Sequence, residues 1–599
     1  MRLILSACLS LLLAACPGRE NVPCIENTDC DLSTGGVCSM AATGNKWCAY
    51  PDPECESGYR YSDQDVGDGV GGVCTPENSF RHRLTVSIGG NGSGSITSEP
   101  PGLVCVSETC NGDFDPGTLV QLSPVPTSGS FLGWGDECSG RGACAVTMDQ
   151  DRAVAALFGM PGEALWATPF SGPSEEFGAG IAMDGEGNLL AVGIFAGSIS
   201  VGGFTLTSAG VFDIYVAKLS ASTGDVLWAK QFGGAASDAG RGVAVDAANN
   251  VYVIGQFRGN VDFGGGPLVS ASNTDDVFVL KLTPDGNFAW ARAIGGAGID
   301  TGDGISVRGN SVVAAGTYSG SMSVGATTVT SAGSVDVFAI SLTTDGGDTW
   351  LKSYGGTEAD VASGIAIDGV DNIVITGRFK GTVNYGGGPL VSAGNFDAFL
   401  LKISGGTGAH LMSRRFGSAA YDEGSAITVD SAANILLVGT FRETVDFGQG
   451  PVTASSPGHP DIFLAKYSQA GSCLWAKAFG GGMPGATARK GNGVAVNGAG
   501  DVAIAGAFDG SMTFGGAVLS SASEFGTDLF AARFAGADGA HLNSIRAGGM
   551  DVENASGIAH AADGRFFVTG SFSGFADFGG EALTSAGGHD AYVLALAPL

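Results

Sequence analysis

The chain has 599 residues, of which 101 are Gly, 44% are apolar and only 15% are charged. That length exceeds one ordinary core, and so much Gly with so little charge points to many turns between short strands rather than to helices held by charged pairs. A formal net charge of −30 opposes binding to phosphate backbones or anionic headgroups, which need clustered Lys and Arg, so nucleic acid is excluded as an expected partner.

Residues 1–15 read MRLILSACLSLLLAA, one Arg followed by an apolar run of export-signal length, too short to span a bilayer. The run ends in Leu13-Ala14-Ala15-Cys16, which resembles the bacterial lipobox. The resemblance implies that Cys16 becomes the lipid-modified mature N-terminus. Pro17 follows rather than Asp, so nothing resembles an inner-membrane retention signal, and the expected location is the outer membrane or cell surface.

The 13 cysteines include Cys8 in the signal and Cys16; ten of the others precede residue 150, a use of Cys that suits an oxidising compartment. Residues 16–79 carry Cys24, Cys30, Cys38, Cys48, Cys55 and Cys74 in a Gly/Asp/Pro-rich stretch with little apolar periodicity. Disulfides are expected to replace the missing core there, in any of about fifteen connectivities. Zinc is the competing reading, but this group has no CxxC pair and no His. Cys473 stands alone on an expected strand and reads as an apolar filler.

Residues 80–160 alternate short strands with turns. Leu84-Thr85-Val86, Gly92-Ser93-Gly94, Cys105 with Cys110, Gly133-Trp134, Cys138 with Cys144 and Ala155-Ala156-Leu157-Phe158 resemble the divergent branch of the internalin-type B-repeat. The resemblance implies a small extracellular β-grasp-like module. With it, the short separations imply Cys105–Cys110 and Cys138–Cys144 bridges, and Trp134 reads as a core plug.

From residue 163 to 599 the chain repeats seven times. An Asp opens a strand at Asp213, Asp276, Asp336, Asp397, Asp461, Asp528 and Asp590. A Gly opens another at Gly180, Gly242, Gly304, Gly364, Gly493 and Gly557, with Ala426 in the fifth copy. In copy two the expected strands are Gly242 to Asp246, Asn250 to Phe257 and Asp276 to Lys281, with a Trp-bearing strand from Val226 ahead of them and a side hairpin from Val261. These runs are similar to the bacterial seven-bladed β-propeller repeat, SBBP, which implies an all-β seven-bladed propeller. The array opens with the Trp-type strand Leu165 to Phe170 and ends on the strand 591–597, so these two are expected to pair and close the ring.

Four residues before each strand-opening Gly stand Glu176, Asp238, Asp300, Asp360, Asp422, Arg489 and Glu553. Six acids on equivalent loops can ring a channel mouth and hold Ca²⁺; equally, each can cap its own turn. Asp184, Asp246, Asp368 and Asp430, each followed four residues on by Asn, read as turn chemistry. Trp166, Trp228, Trp290, Trp350 and Trp475, with Leu411 and Leu542 in their place in two copies, read as packing between blades.

The sequence has no G-x-S-x-G elbow, HExxH helix or Gly-Lys pair, and no His recurs at a repeated position. No catalytic residue, confident metal ligand or cofactor is therefore assigned. Copies five and six break the repeat, with His459-Pro460 and with an insertion over 482–490. The expected protein is a monomeric, lipid-anchored envelope binding protein or scaffold for a protein or glycan. Its alternatives are an enzyme with a non-repeated site in the channel and a purely structural envelope component.

Overall fold

The computed structural model describes residues 37–40, 46–55, 59–61, 72–75, 81–90, 92–138, 142–160, 162–456, 458–481, 488–523 and 526–598. The signal run, Cys16, Cys24, Cys30 and residues 482–487 of the copy-six insertion lie outside these. Two compact units part after Gly159. Among the described residues no helix is long and apolar enough to cross a membrane.

The first unit begins with an antiparallel meander of Val37–Met40, Lys46–Pro51 and Tyr59–Tyr61. Its apolar cluster is little more than Ala49 and Tyr61 with Trp47 and Tyr59 beside them. So small a core needs covalent staples: Cys55 is bonded to Cys74, and Cys38 and Cys48 are each disulfide-bonded.

Next come two four-stranded sheets. One runs in the order Thr109–Phe114, His82–Gly89, Arg152–Gly159 and Ser130–Asp136; the other runs Cys144–Thr147, Leu119–Ser128, Ser93–Glu99 and Val104–Cys105. Their alternating apolar residues, among them Leu84, Val86, Val154, Ile96, Val120 and Val146, meet in one core. No helix crosses either sheet among the described residues. Where a β-grasp sets a helix against its sheet, this unit sets a second sheet. Cys105 is bonded to Cys110 and Cys138 to Cys144. Trp134 is buried in this core, and its indole N–H donates to the Gly142 carbonyl at 3.0 Å.

The second unit is a β-propeller. It is built of repeated sheets, hereafter units one to seven in the chain order of their innermost strands, and each contains four antiparallel strands, which we letter a to d from the inside outwards. In unit two these are Ala239–Val245, Val251–Arg258, Asp275–Leu282 and Phe288–Gly296. Strands b and c are buried on both faces, which explains their continuous Val, Ile, Leu and Phe. The Trp-bearing strand Val226–Phe232 pairs with Asp213–Ser220 ahead of it. Each sheet thus takes the Trp strand that follows it, and sequence repeat and sheet are offset by one strand.

The a strands are Glu176–Met183, Ala239–Val245, Asp300–Arg308, Asp360–Ile367, Glu423–Val429, Arg489–Val496 and Glu553–His560. Each touches the next, and the last touches the first. The last sheet is completed by Ala164–Ser171, which pairs antiparallel with the end of Ala582–Leu596, from Ala164 opposite Leu596 to Phe170 opposite Ala591. The side hairpins lean on the outer strand of the preceding unit, as where Gly295 pairs with Ser323.

Candidate functional site

Every a strand carries a β-bulge at the same place, between the second and fourth residues after the acidic position, for example between Gly240 and Gly242. A bulge adds one unpaired residue and re-aims its side chain. The added residues are Ala179, Arg241, Asp303, Ser363, Ser425, Asn492 and Ser556, and all seven line a single cavity of 720 Å³. The bulges therefore point one residue from each unit into a common central channel. Ala, Arg, Asp and Asn stand at four of these positions and Ser at the other three, whereas the residues on either side are Gly or Ala in every copy.

Most of the channel's charge lies on one side. Arg378, near the end of strand b of unit four, pairs with Glu423 at 3.0 Å, and its guanidinium lies over the rings of Phe396 and Tyr421. The Tyr421 hydroxyl donates to the other Glu423 oxygen at 2.6 Å. Arg241 donates to Gln256 at 2.8 Å and lies 3.9 Å from Asp303. Burial pushes the Asp303 carboxyl up to about 6, against the pull of Arg241 and Arg378. Lys490, Asn492 and Asn554 stand elsewhere on the wall. The cavity thus holds three cationic and two acidic side chains in a chain that is otherwise strongly acidic.

The six acids expected at the channel mouth are elsewhere. Glu176, Asp238, Asp300, Asp360, Asp422 and Glu553 are fully buried and do not line the cavity. Each accepts the N–H of the residue four before it: Gly172, Gly234, Gly296, Gly356, Ser418 and Gly549. They fasten the loops between units. The strand-opening Asp of the preceding sheet, such as Asp336, fastens the side hairpin in the same way by accepting the Ala332 N–H at 2.8 Å.

Two buried acids therefore meet at most junctions. Desolvation, with the neighbouring carboxylate adding to it, raises Glu176 and Glu553 to about 8 and Asp300 and Asp360 to about 7. Between units five and six the acid is replaced by Arg489. Its guanidinium donates to Asp461 at 3.1 Å and to the carbonyls of Gly481 and Ser511 at 3.1 and 3.3 Å. Most d strands have a Gly at or just after their end because the strand-opening Asp lies against it: a Cβ on Gly355 would lie 2.3 Å from the Asp336 carboxyl carbon.

Asp184, Asp246, Asp368 and Asp430 accept backbone N–H groups two and four residues on, and each also accepts the side-chain amide of its Asn. In units one, four and five a Lys from strand c also pairs with this Asp, as Lys402 does with Asp368 at 2.8 Å. Burial alone would raise Asp368; the lysine and the turn donors more than reverse it and hold it below the usual carboxylate range.

The indole N–H groups of Trp166, Trp228, Trp290, Trp350 and Trp475 donate to turn carbonyls of the next unit, at Ala221, Pro284, Thr344, Gly405 and Gly536. Register places Met412 and Asn543, not Leu411 and Leu542, at the Trp position: Met412 lies opposite Lys402 and Asn543 opposite Arg533, as Trp228 lies opposite Lys218. Leu411 and Leu542 are exposed. Cys473 is a half-buried free thiol.

The SBBP β-propeller repeat family matches residues 227–256. An uncharacterised WD repeat-containing protein of Acanthamoeba polyphaga mimivirus is 23% identical over 53% of this chain, and the chain spans 29% of that protein's length. Among solved structures, the quinohemoprotein alcohol dehydrogenase of Comamonas testosteroni is 12% identical, with 67% of this chain and 66% of that one covered, at a TM-score of 0.32. BamB of Moraxella catarrhalis is 11% identical, with 67% and 95% covered, at 0.30. The Dos1 propeller is 7% identical, with 72% and 95% covered, at 0.34.

Proposed function

We propose that this chain is an exported, lipid-anchored envelope protein whose seven-bladed propeller binds a protein or glycan at the mouth of its central channel. The observation that carries the reading is the bulge ring: one scaffold aims seven side chains of five residue types into one cavity, as expected where a repeat has been diversified for recognition. The Arg241–Asp303 and Arg378–Glu423 sector supplies charged groups that fix the orientation of a ligand. The disulfides of the first unit suit an exported chain, and the lipobox-like Cys16 supplies an anchor. The stapled meander and the sandwich, read as a B-repeat, form the spacer.

Glycan-array and envelope-extract binding by the mature chain tests this proposal. Retention of a ligand that is lost in both Arg241→Ala and Arg378→Ala supports it. Binding that neither substitution alters removes the channel as the site.

A catalytic channel is the second reading, favoured by Asp303, a carboxyl near 6 beside an Arg inside a cavity. Its mark is turnover that disappears in Asp303→Asn while ligand binding persists.

A further inference from the structure

The seven junctions between units are repeats of one arrangement, so a substitution in one reports on the others. Where Arg489 replaces the acid, a positive charge sits among three oxygen acceptors: the Asp461 carboxylate and the carbonyls of Gly481 and Ser511. At two further junctions an Arg on strand d compensates one acid, Arg415 with Asp397 at 2.6 Å and Arg546 with Asp528 at 3.0 Å. Between units three and four no Lys or Arg among the described residues pairs with either carboxylate, Asp336 or Asp360. Both are buried, and Oδ1 of each has no hydrogen-bond partner.

A second, independent group points to the same place. Tyr385 is 2% exposed and its hydroxyl has no partner. It lies close enough to Asp360 and Asp336 for their charges to add to burial in raising it. At the equivalent hairpin position units two, five, six and seven carry Phe263, Phe447, Phe514 and Phe578, so a phenol oxygen on the side hairpin is peculiar to this junction. By register, Gly356 and Thr382 stand where Gly481 and Ser511 contact the Arg489 guanidinium, and Gly356 bridges to Val383 beside Thr382. The Ser353 hydroxyl lies beside Asp336.

We propose that the junction of Asp336, Asp360 and Tyr385 binds one Ca²⁺ in the place that the Arg489 guanidinium fills two junctions away. Two carboxylates neutralise a divalent cation, and the phenol and main-chain carbonyls complete a hard oxygen set of the kind Ca²⁺ takes. Among the described residues no group of three or more His, Cys, Asp or Glu is gathered as a metal centre. The site therefore rests on two acids plus neutral oxygens, which also sets it apart from transition-metal sites.

The test uses the mature chain stripped with chelator. Calcium should raise its melting temperature saturably, because a ligand that binds only the folded state stabilises by mass action. Tb³⁺ excited through tyrosine should luminesce. Tyr385→Phe should lose most of that emission and bind calcium about tenfold more weakly while keeping its fold. Asp360→Arg, which copies the unit-five junction, should fold and no longer respond to calcium. Absence of any calcium shift in the parent chain, or an undiminished one in Asp360→Arg, overturns the proposal. So does a melt that varies with pH alone, which would assign the pair a shared proton instead.

Discussion

The junctions between units and the wall of the channel are built from the same seven strands, three residues apart, yet they obey different rules. At the junctions the chemistry repeats: an acid takes the N–H four residues back in six units, and the exception is an Arg that meets the facing Asp461. On the wall the bulge residues run from Ala179 through Arg241 and Asp303 to Asn492. Buried polar groups must find a partner or be matched in charge, so drift there is confined to compensated exchanges. Side chains facing an open channel carry no such requirement, and they are free to follow a ligand.

The largest effect should come from breaking the ring that both regions share. Deleting residues 163–172 removes the strand opposite 591–596. It should lower the propeller's calorimetric melt by on the order of 10 °C or more, while an unchanged melt would show that the ring does not depend on this closure. Next, Asp461→Ala leaves the fully buried Arg489 without its counter-charge, at a cost of about 3–5 kcal/mol in denaturant unfolding. Asp300→Asn, which exchanges one backbone acceptor for another, should cost about 1 kcal/mol. Equal costs would erase the distinction between charged and acceptor junctions.

Acidity gives a graded effect rather than a single loss. Glu176 and Glu553 hold their protons to about 8 in the fold, against an ordinary 4.5. Glu176 faces Asp590 and Glu175, with His589 paired to Glu175, and Glu553 faces Asp528, Asp551 and, through Asp528, Arg546. Between these pH values the folded chain binds more protons than the unfolded one, so the stability these two groups contribute is full below pH 4.5 and is lost as pH rises to about 8. Melts in calcium-free buffer from pH 5 to 9 should decline, and a flat profile would mean that the pairs are already neutralised. Smallest of all, Arg241→Ala on the exposed channel wall should move stability by less than about 0.5 kcal/mol. A larger loss would make the wall part of the scaffold.

Much of the propeller was legible in the sequence because buried strands repeat as continuous apolar runs, and because each buried Asp demands a donor at a fixed distance along the chain. The turn role of Asp184 and its equivalents followed from the Asn four residues on. The channel wall was not legible from the acid positions, since a bulge turns the residue just before the opening Gly inwards while the pattern draws the eye to the acid three residues earlier. A signal was present in that one column, where Arg241, Asp303 and Asn492 stand between neighbours that are Gly or Ala in every copy. The misplacement at Leu411 and Leu542 has a similar origin: with no Trp in those copies, apolarity marks the exposed Leu, whereas pairing opposite Lys402 and Arg533 marks Met412 and Asn543.

The closing sheet has a consequence in time. Ala164 finds its partner in Leu596, more than four hundred residues along the chain. Pairing so remote in sequence comes late in folding. A chain threaded through a membrane from its N-terminus would carry Ala164–Ser171 across ahead of the rest of the propeller and leave it waiting, an open edge with Trp166 and Phe170 uncovered, until residues 591–596 arrive. The arrival of residues 591–596 would then be the step that makes the ring whole.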